Sequence, residues 1–137
     1  MTKLFVSPKQ AKNPMKTMRS SIETKSFEFA VRIVNLCKYL NKEKREFTLA
    51  NQLLKSGTSI GANVAEAEYA QSKADFLSKM CIARKEASET MYWLKLLYAT
   101  GFLTDAEYES IRSEGDALFR ILCATCKTAS NNLKSAN

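Results

Sequence analysis

The sequence predicts an all-α protein, an antiparallel up-down-up-down bundle of four helices. Three observations support this fold class. Apolar residues recur at steps of three and four along four separate segments, which is the period of an amphipathic helix. The connections between these segments are short, which favours antiparallel neighbours. No pair of segments combines strict alternation with the turn residues of a β-hairpin.

The chain of 137 residues fits one domain, which we place at residues 24–132. Residues 1–23 are predicted to be a flexible basic tail. Their first 21 residues contain both prolines, five basic side chains and no acid, without a sustained apolar period. Residues 133–137 are predicted to be a short polar tail.

The first helix is predicted to begin at Thr24 or Ser26, either of which can cap it, and to end near Asn41. Residues at three- and four-residue steps form its expected core face: Phe27, Ala30, Val31, Val34, Cys37 and Leu40. A charged turn follows.

The second helix carries small residues at three- and four-residue steps. Its expected core face consists of Ala50, Leu53, Gly57, Ile60, Val64 and Ala67. Small side chains let a neighbouring helix approach closely. Gly57 and Gly61 each cost about 1 kcal/mol relative to alanine in a helix interior, so a local break there is the alternative.

Capping sequences open the last two helices. Ser72-Lys73-Ala74-Asp75 has capping-box spacing, with Asp in the Glu position, and Thr104-Asp105-Ala106-Glu107 is a full capping box. Gly101 ends the third helix, and the fourth runs to about Asn131. The expected core faces are Phe76, Met80, Ala83, Ala87, Thr90, Leu94 and Leu97, then Tyr108, Ile111, Gly115, Leu118, Leu122 and Thr125.

The sequence gives little support for a catalytic site. The chain contains no histidine, which removes Ser-His and Cys-His nucleophiles and the carboxylate di-metal site of helical bundles. Glu66, Glu68, Glu86 and Glu89 could act as paired carboxylates, but no nucleophile or phosphate loop accompanies them. We therefore predict no enzyme activity and no cofactor, and interpret these acids as surface or inter-helix partners.

The cysteines are Cys37, Cys81, Cys123 and Cys126, each inside a helical pattern. This placement predicts reduced, small apolar thiols rather than a disulfide framework. The C-x-x-C pair lies late in a helix, whereas a redox motif needs a helix N-terminus. A zinc site built from all four thiolates is the alternative, and we predict no metal.

Positive charge is concentrated early in the chain. Residues 1–55 hold 12 Lys and Arg against 4 Asp and Glu, while residues 56–137 hold 9 against 10. A basic group surrounds the first turn between helices: Lys38, Lys42, Lys44, Arg45 and Lys55. Such a cluster favours salt-sensitive contact with the phosphates of RNA or DNA. The alternative is solvated surface charge.

Two further lines lie outside the core faces. The second helix carries a polar line, Gln52, Ser56, Ser59, Asn63 and Glu66, and the third a mixed face, Ile82, Glu86, Glu89, Trp93 and Leu96. Polar groups in register suit a hydrogen-bonded contact with the third helix or with a neighbouring subunit. A tryptophan beside leucine indicates a protein contact, with ordinary partial burial as the alternative.

No apolar run approaches the ~20 residues that a membrane span needs. The N-terminal region offers only Leu4-Phe5-Val6 where a secretion signal requires a longer apolar stretch. We therefore expect a cytoplasmic protein without membrane contact.

Two segments carry a family resemblance: Ser59-Ile60-Gly61-Ala62-Asn63-Val64-Ala65-Glu66 and Ile82-Ala83-Arg84-Lys85-Glu86-Ala87-Ser88-Glu89-Thr90. They resemble the signature of the four-helix-bundle family encoded in intervening sequences of bacterial 23S rRNA genes. The resemblance covers roughly residues 24–130. Ala67 departs from it, because the family commonly has glycine after the glutamate.

The resemblance implies a bundle that assembles as a ring-shaped homopentamer, with Asn63, Glu66, Glu86 and Glu89 as polar motif positions. Related accessory proteins of diversity-generating retroelements are pentamers that bind nucleic acid and a reverse transcriptase. We expect a non-enzymatic homo-oligomer associated with structured RNA; a protein-interaction scaffold is the alternative. The expected subunit contact contains Ser59, Asn63, Glu66, Glu86, Glu89 and Trp93.

Overall fold

The computed structural model describes residues 21–135. Its helices are α1 Ser21–Glu43, α2 Thr48–Ala67, α3 Lys73–Ala99 and α4 Asp105–Ser135. Each helix contacts the next along the chain and α4 returns to α1, while the pairs α1 with α3 and α2 with α4 lie diagonally without contact. The described part of the chain contains no strand. The prediction of an all-helical four-helix bundle is confirmed.

The predicted start of the first helix is wrong. The chain is already helical at Ser21, so Thr24 and Ser26 lie inside α1. Ser26 is buried and donates its hydroxyl to the Glu23 carbonyl at 3.1 Å. A serine can make such a bond within a helix as well as cap one, so its identity did not locate the start. The rest of the predicted basic tail, residues 1–20, lies outside the described residues.

The end of the fourth helix also differs from the prediction, because α4 continues to Ser135 through most of the predicted polar tail. The Ser135 hydroxyl donates to the Asn131 carbonyl at 2.9 Å, the bond to the preceding turn that a helical serine can make. Polar composition therefore did not end this helix.

The predicted core face of α1 is largely wrong. Cys37 and Leu40 are buried as expected, but Phe27 is 48% exposed. Ala30, Val31 and Val34 are only partly buried. The residues that fill the core from α1 are Ile22, Phe29, Ile33, Leu36, Cys37, Tyr39 and Leu40. Helix α1 has apolar residues around most of its circumference, and its bulkier face points inward.

The predicted core face of α2 is confirmed, since Ala50, Leu53, Gly57, Ile60, Val64 and Ala67 are all buried. The helix passes through both glycines without a break. A Cβ atom on Gly57 would lie 2.7 Å from Cγ2 of Ile33, closer than such atoms pack. Gly57 therefore allows the close approach of α1 that the small residues predicted.

The caps of α3 and α4 are confirmed. The Ser72 hydroxyl accepts from the Asp75 amide at 3.0 Å. At α4, the Glu107 amide donates to the Thr104 hydroxyl at 3.2 Å, and the Thr104 amide donates to the Glu107 carboxylate at 2.9 Å. Gly101 has a φ of 88°, a conformation that suits glycine after a helix.

The α3 and α4 core faces are buried as predicted, except that Phe76, Tyr108 and Thr125 are half-buried. Cys126 takes the inward place in the last part of α4 instead of Thr125. Most of the predicted packing between these helices is therefore confirmed.

A partly buried ion pair, which the sequence analysis did not predict, joins α1 to α4. Arg32 is 4% exposed, and its Nη1 lies 2.7 Å from Oε1 of Glu114. Its guanidinium also donates to the hydroxyl of Ser110 at 2.9 Å and to the Ser110 carbonyl at 3.4 Å. A buried charge requires this kind of pairing, so these bonds fix the position of α4 against α1.

Candidate functional site

The basic group lies where α1 ends and α2 begins. Lys38 and Lys42 project from the last turns of α1, Lys44 and Arg45 form the connection, and Lys55 projects from α2; all five are exposed. Within residues 21–135 none of them forms an ion pair. The structure therefore gathers these five charges around one connection and leaves them open to solvent.

The connection itself has a defined conformation. Arg45 has a φ of 55°, in the left-handed region. The Lys44 ammonium lies 6.0 Å from the centre of the Tyr39 ring, at the edge of cation–π range. The Glu46 carboxylate accepts from the Leu49 amide at 2.7 Å and so caps α2. This bond directs the nearby acid to the helix N-terminus.

Most of the net positive charge belongs to residues outside the described part of the chain. Residues 21–135 hold 16 Lys and Arg against 14 Asp and Glu, a net charge of +2. Residues 1–20 hold five Lys and Arg and no acid, so they supply +5 of the total +7. Any electrostatic attraction of the whole chain for an anion therefore combines two sources, this segment and the basic group.

The polar line of α2 makes part of its contacts with α3. The Thr90 and Ser56 hydroxyl oxygens form a buried hydrogen-bonded contact at 3.0 Å, and Glu66 forms an ion pair with Lys79 at 3.0 Å. This ion pair raises the pKa of the Lys79 ammonium, first through the hydrogen bond that the ammonium donates to the Glu66 carboxylate and then through the negative charge of Glu66. The expected hydrogen-bonded contact between these helices is present at Ser56.

Two motif residues on α2 bond to their own helix instead. The Asn63 amide donates to the Ser59 carbonyl at 2.8 Å, and the Ser59 hydroxyl donates to the Lys55 carbonyl at 2.6 Å. Both side chains are half-buried. They leave a small, polar and partly exposed surface along α2.

The mixed face of α3 presents an aromatic pair. The Trp93 indole donates to the Glu89 carboxylate at 3.1 Å, and its ring meets Tyr92 edge-on at 5.0 Å between centres. Tyr92 is 58% exposed, whereas Trp93 is half-buried beside the core. Glu86 is half-buried, and its carbonyl accepts from Thr90 at 2.7 Å. The face therefore combines an anchored tryptophan with an open tyrosine.

A second apolar surface, missed by the sequence analysis, lies along α1. The outer α1 stripe consists of Phe27, Ala30, Val31 and Val34. Phe27 and Ala30 line a groove of about 460 Å³ against α2, whose side is formed by Thr58, Gly61, Ala62, Val64 and Ala65. The signal was present in the sequence, because α1 carries more apolar residues than one core face can use.

Neither a metal centre nor a membrane span occurs in the described residues. No group of three or more His, Cys, Asp or Glu side chains in these residues is arranged so that it could hold a metal ion. No helix in residues 21–135 is long and apolar enough to cross a bilayer. Hydrogen bonds also shift the pKa values of two acids: one donated to Asp105 raises the pKa of the Tyr98 hydroxyl, and one received from Arg112 lowers the pKa of the Glu109 carboxyl. Both sit at the surface near the start of α4.

The comparisons with known proteins agree with this architecture. A search of the curated proteins finds no match. A solved structure from Bacteroides thetaiotaomicron VPI-5482, described as a protein with unknown function from the S23 ribosomal protein family, is 53% identical and superposes with a TM-score of 0.76. That match covers 77% of this chain and 98% of the other. The model of the 23S rRNA-intervening sequence protein family matches residues 19–124. The chain therefore belongs to the 23S rRNA-intervening sequence protein family.

Proposed function

We propose that this protein is a non-enzymatic, cytoplasmic homo-oligomer that associates with structured RNA through its basic group. The single observation that carries the proposal is the placement of five exposed basic side chains around one inter-helix connection, none of them in an ion pair within residues 21–135. Lysine and arginine clustered on one surface attract phosphates regardless of sequence. The basic segment before α1 adds charge to the same molecule.

The proposed subunit is an antiparallel up-down-up-down bundle. Contacts between α1 and α2 join Cys37 to Ala50 and Ile33 to Gly57, so residue numbers fall along one helix as they rise along the other. The same opposite order holds between α2 and α3, where Ser56 meets Thr90 and Glu66 meets Lys79. Because α1 and α2 run in opposite directions, the end of α1, the basic connection and the start of α2 all lie at one end of the bundle.

Assembly into a ring needs two different surfaces on each subunit, because a head-to-tail contact pairs unlike patches. The chain offers two. The outer α1 stripe is one, and the α3 face with the motif residues is the other. Helices α1 and α3 are diagonal in the bundle, so their outer faces point to opposite sides. We propose that these surfaces meet between neighbouring subunits.

The pentamer and the motif contact come from the family resemblance. In the proposed ring, α3 contributes Glu86, Glu89 and Trp93 to the contact, and the adjoining polar line of α2 contributes Ser59, Asn63 and Glu66. Trp93 is held by its bond to Glu89, so it is preorganised as an anchor.

A scaffold that docks a partner protein is the second candidate. The Tyr92 and Trp93 pair favours it, since exposed aromatics are enriched in protein interfaces. In that case the partner protein would occupy the α3 face, and the basic group would be solvated surface charge.

The test is titration of a structured RNA at two salt concentrations. The test variant replaces Lys38, Lys42 and Lys44 with glutamine. The matched control replaces three exposed lysines elsewhere, Lys85, Lys95 and Lys127, with the same loss of charge. Phosphate contact predicts that binding weakens steeply with salt and that the test variant binds at least about tenfold more weakly than the control.

Two results would contradict RNA association through the basic group. One is no binding by the unaltered protein at low salt. The other is equal RNA binding by the test variant and the control variant, which would show that RNA affinity depends only on the net charge of the protein and not on the position of the lysines. Retention of a partner protein by the test variant, together with absent RNA binding, would support the scaffold.

A further inference from the structure

Three of the four cysteines converge at the contact between α3 and α4. Tyr98 stacks on Tyr108 with 4.3 Å between ring centres, and Met91 faces Gly115 seven residues further along each helix. Continuing this register by ten residues brings Cys81 opposite the turn that carries Cys126. Cys123 precedes Cys126 by one helical turn and belongs to the same cluster.

Arg84 gives this cluster a positive charge. Its Nη2 donates to the Cys81 sulfur at 3.9 Å. Burial first and the neighbouring Cys81 thiol second raise the pKa of Cys126 to about 11, although the Arg84 charge acts in the opposite direction. Cys81 is partly exposed, while Cys126 is 3% exposed. A thiol beside a cation with access to solvent is the kind that reacts.

The fourth cysteine provides an internal comparison. Cys37 is buried between α1 and α2, and its thiol donates to the Ala50 carbonyl at 3.2 Å. Burial raises the pKa of Cys37 to about 12. It has the character of a structural core thiol, as the sequence analysis expected for all four. Only the α3 and α4 cluster combines several thiols, a cation and partial exposure.

We propose that Cys81 and Cys126 form a reversible disulfide between α3 and α4, with Cys81 as the thiol that is oxidised first. The contact between the two helices, the register that places the residues opposite each other and the guanidinium at Cys81 support this assignment. Cys126 acts as the resolving thiol. The inference is independent of RNA association and of oligomer formation.

The reaction with hydrogen peroxide balances in two steps. The Cys81 thiolate attacks one peroxide oxygen, the O–O bond breaks, and Cys81 becomes a sulfenic acid while hydroxide leaves. Cys126 then loses its proton and attacks the Cys81 sulfur; the S–S bond forms, the S–O bond breaks, and the oxygen leaves as water. In total, two thiols lose two electrons, and peroxide is reduced to two molecules of water.

The test exposes the reduced full-length protein to a small excess of hydrogen peroxide and measures intact mass and disulfide-linked peptides. The expected product has lost two hydrogen atoms and links the peptides of Cys81 and Cys126. Dithiothreitol should restore the original mass. Cys123→Ser is the matched control, because it removes a thiol of the same cluster and should retain the link.

Two variants separate the proposed roles. Cys126→Ser should leave Cys81 as a sulfenic acid that dimedone labels, since its resolving partner is missing. Arg84→Gln should slow alkylation of Cys81 by N-ethylmaleimide severalfold at neutral pH, with Arg84→Lys retaining most of the rate. A purely structural role of Arg84 would not produce this rescue.

An unchanged mass after peroxide, a link from Cys81 to Cys123, or a link between two chains would overturn the proposal. Equal alkylation rates for Cys81 and Cys37 in the native protein would also overturn it, because the proposal requires that only the clustered thiol is reactive.

Discussion

Helices α1 and α2 lie side by side, yet they use their apolar residues differently. Helix α2 has one apolar face, and that face is buried. Helix α1 has two, of which one fills the core while Phe27 and its neighbours remain at the surface. The bundle needs one apolar face from each helix. The additional face of α1 therefore supports the proposed contact between subunits, whereas α2 offers no second apolar face to such a contact.

The largest expected effect separates the two faces of α1. Phe29→Ala removes a fully buried ring and should reduce the free energy of unfolding by about 3–5 kcal/mol. Phe27→Ala, two residues away, should reduce it by less than about 1.5 kcal/mol when the chain is monomeric. Urea titration at low protein concentration measures both. Equal losses would remove the distinction between an inner and an outer face.

The partly buried ion pair should give the next largest effect. Arg32→Ala leaves Glu114 without its partner and removes two bonds to Ser110, so we expect a loss of about 2–4 kcal/mol. Arg32→Met retains most of the side-chain volume and should cost less. Thermal unfolding of the two variants provides the comparison, and a stable Arg32→Ala protein would show that α4 does not depend on this pair.

The two glycines of α2 should respond in opposite directions. A Cβ atom on Gly57 meets Ile33 at 2.7 Å, so Gly57→Ala should destabilise the bundle by about 1–3 kcal/mol. A Cβ atom on Gly61 has 3.4 Å to its nearest neighbour, the Ser26 carbonyl oxygen. Gly61→Ala should then stabilise by about 0.5–1 kcal/mol through helix propensity. If both substitutions shift the unfolding midpoint in the same direction, this account of the α1 and α2 contact is contradicted.

The smallest effects belong to the polar line of α2. Ser56→Ala loses a buried hydroxyl contact and should cost about 1 kcal/mol, since the Thr90 hydroxyl keeps its bond to the Glu86 carbonyl. Glu66→Gln breaks an exposed ion pair and should not change stability measurably. If Glu66→Gln instead changes the size of the oligomer, the Glu66 carboxylate acts in the contact between subunits.

Sequence patterns predicted those parts of the fold for which the residues allow only one arrangement. The small residues of α2 and the capping boxes at Ser72 and Thr104 left little choice, and these predictions are confirmed. Helix α1 offered two apolar faces, and period alone cannot decide which one is buried. The missed inward residues include Ile33 and Leu36, which are bulkier than the predicted Ala30, Val31 and Val34, so side-chain volume could have favoured the correct face.

The candidate surfaces were predictable only in part. Sequence clustering identified the basic group because its members are close along the chain. The pairing of Arg32 with Glu114 and the proposed pairing of Cys81 with Cys126 join residues far apart in sequence, so they required the register between helices. The outer α1 stripe was missed because its residues had been assigned to the core.

Light scattering during size-exclusion chromatography tests the central claim, that the second apolar face of α1 serves self-assembly. The unaltered protein should elute as a particle near five times the 15.4 kDa chain mass. Phe27→Asp should elute as a folded, smaller species, whereas Tyr69→Asp, which alters a more exposed aromatic in the connection between α2 and α3, should not change the particle. An unaltered protein that stays monomeric at tens of micromolar, or a Phe27→Asp variant of unchanged size, would contradict the account.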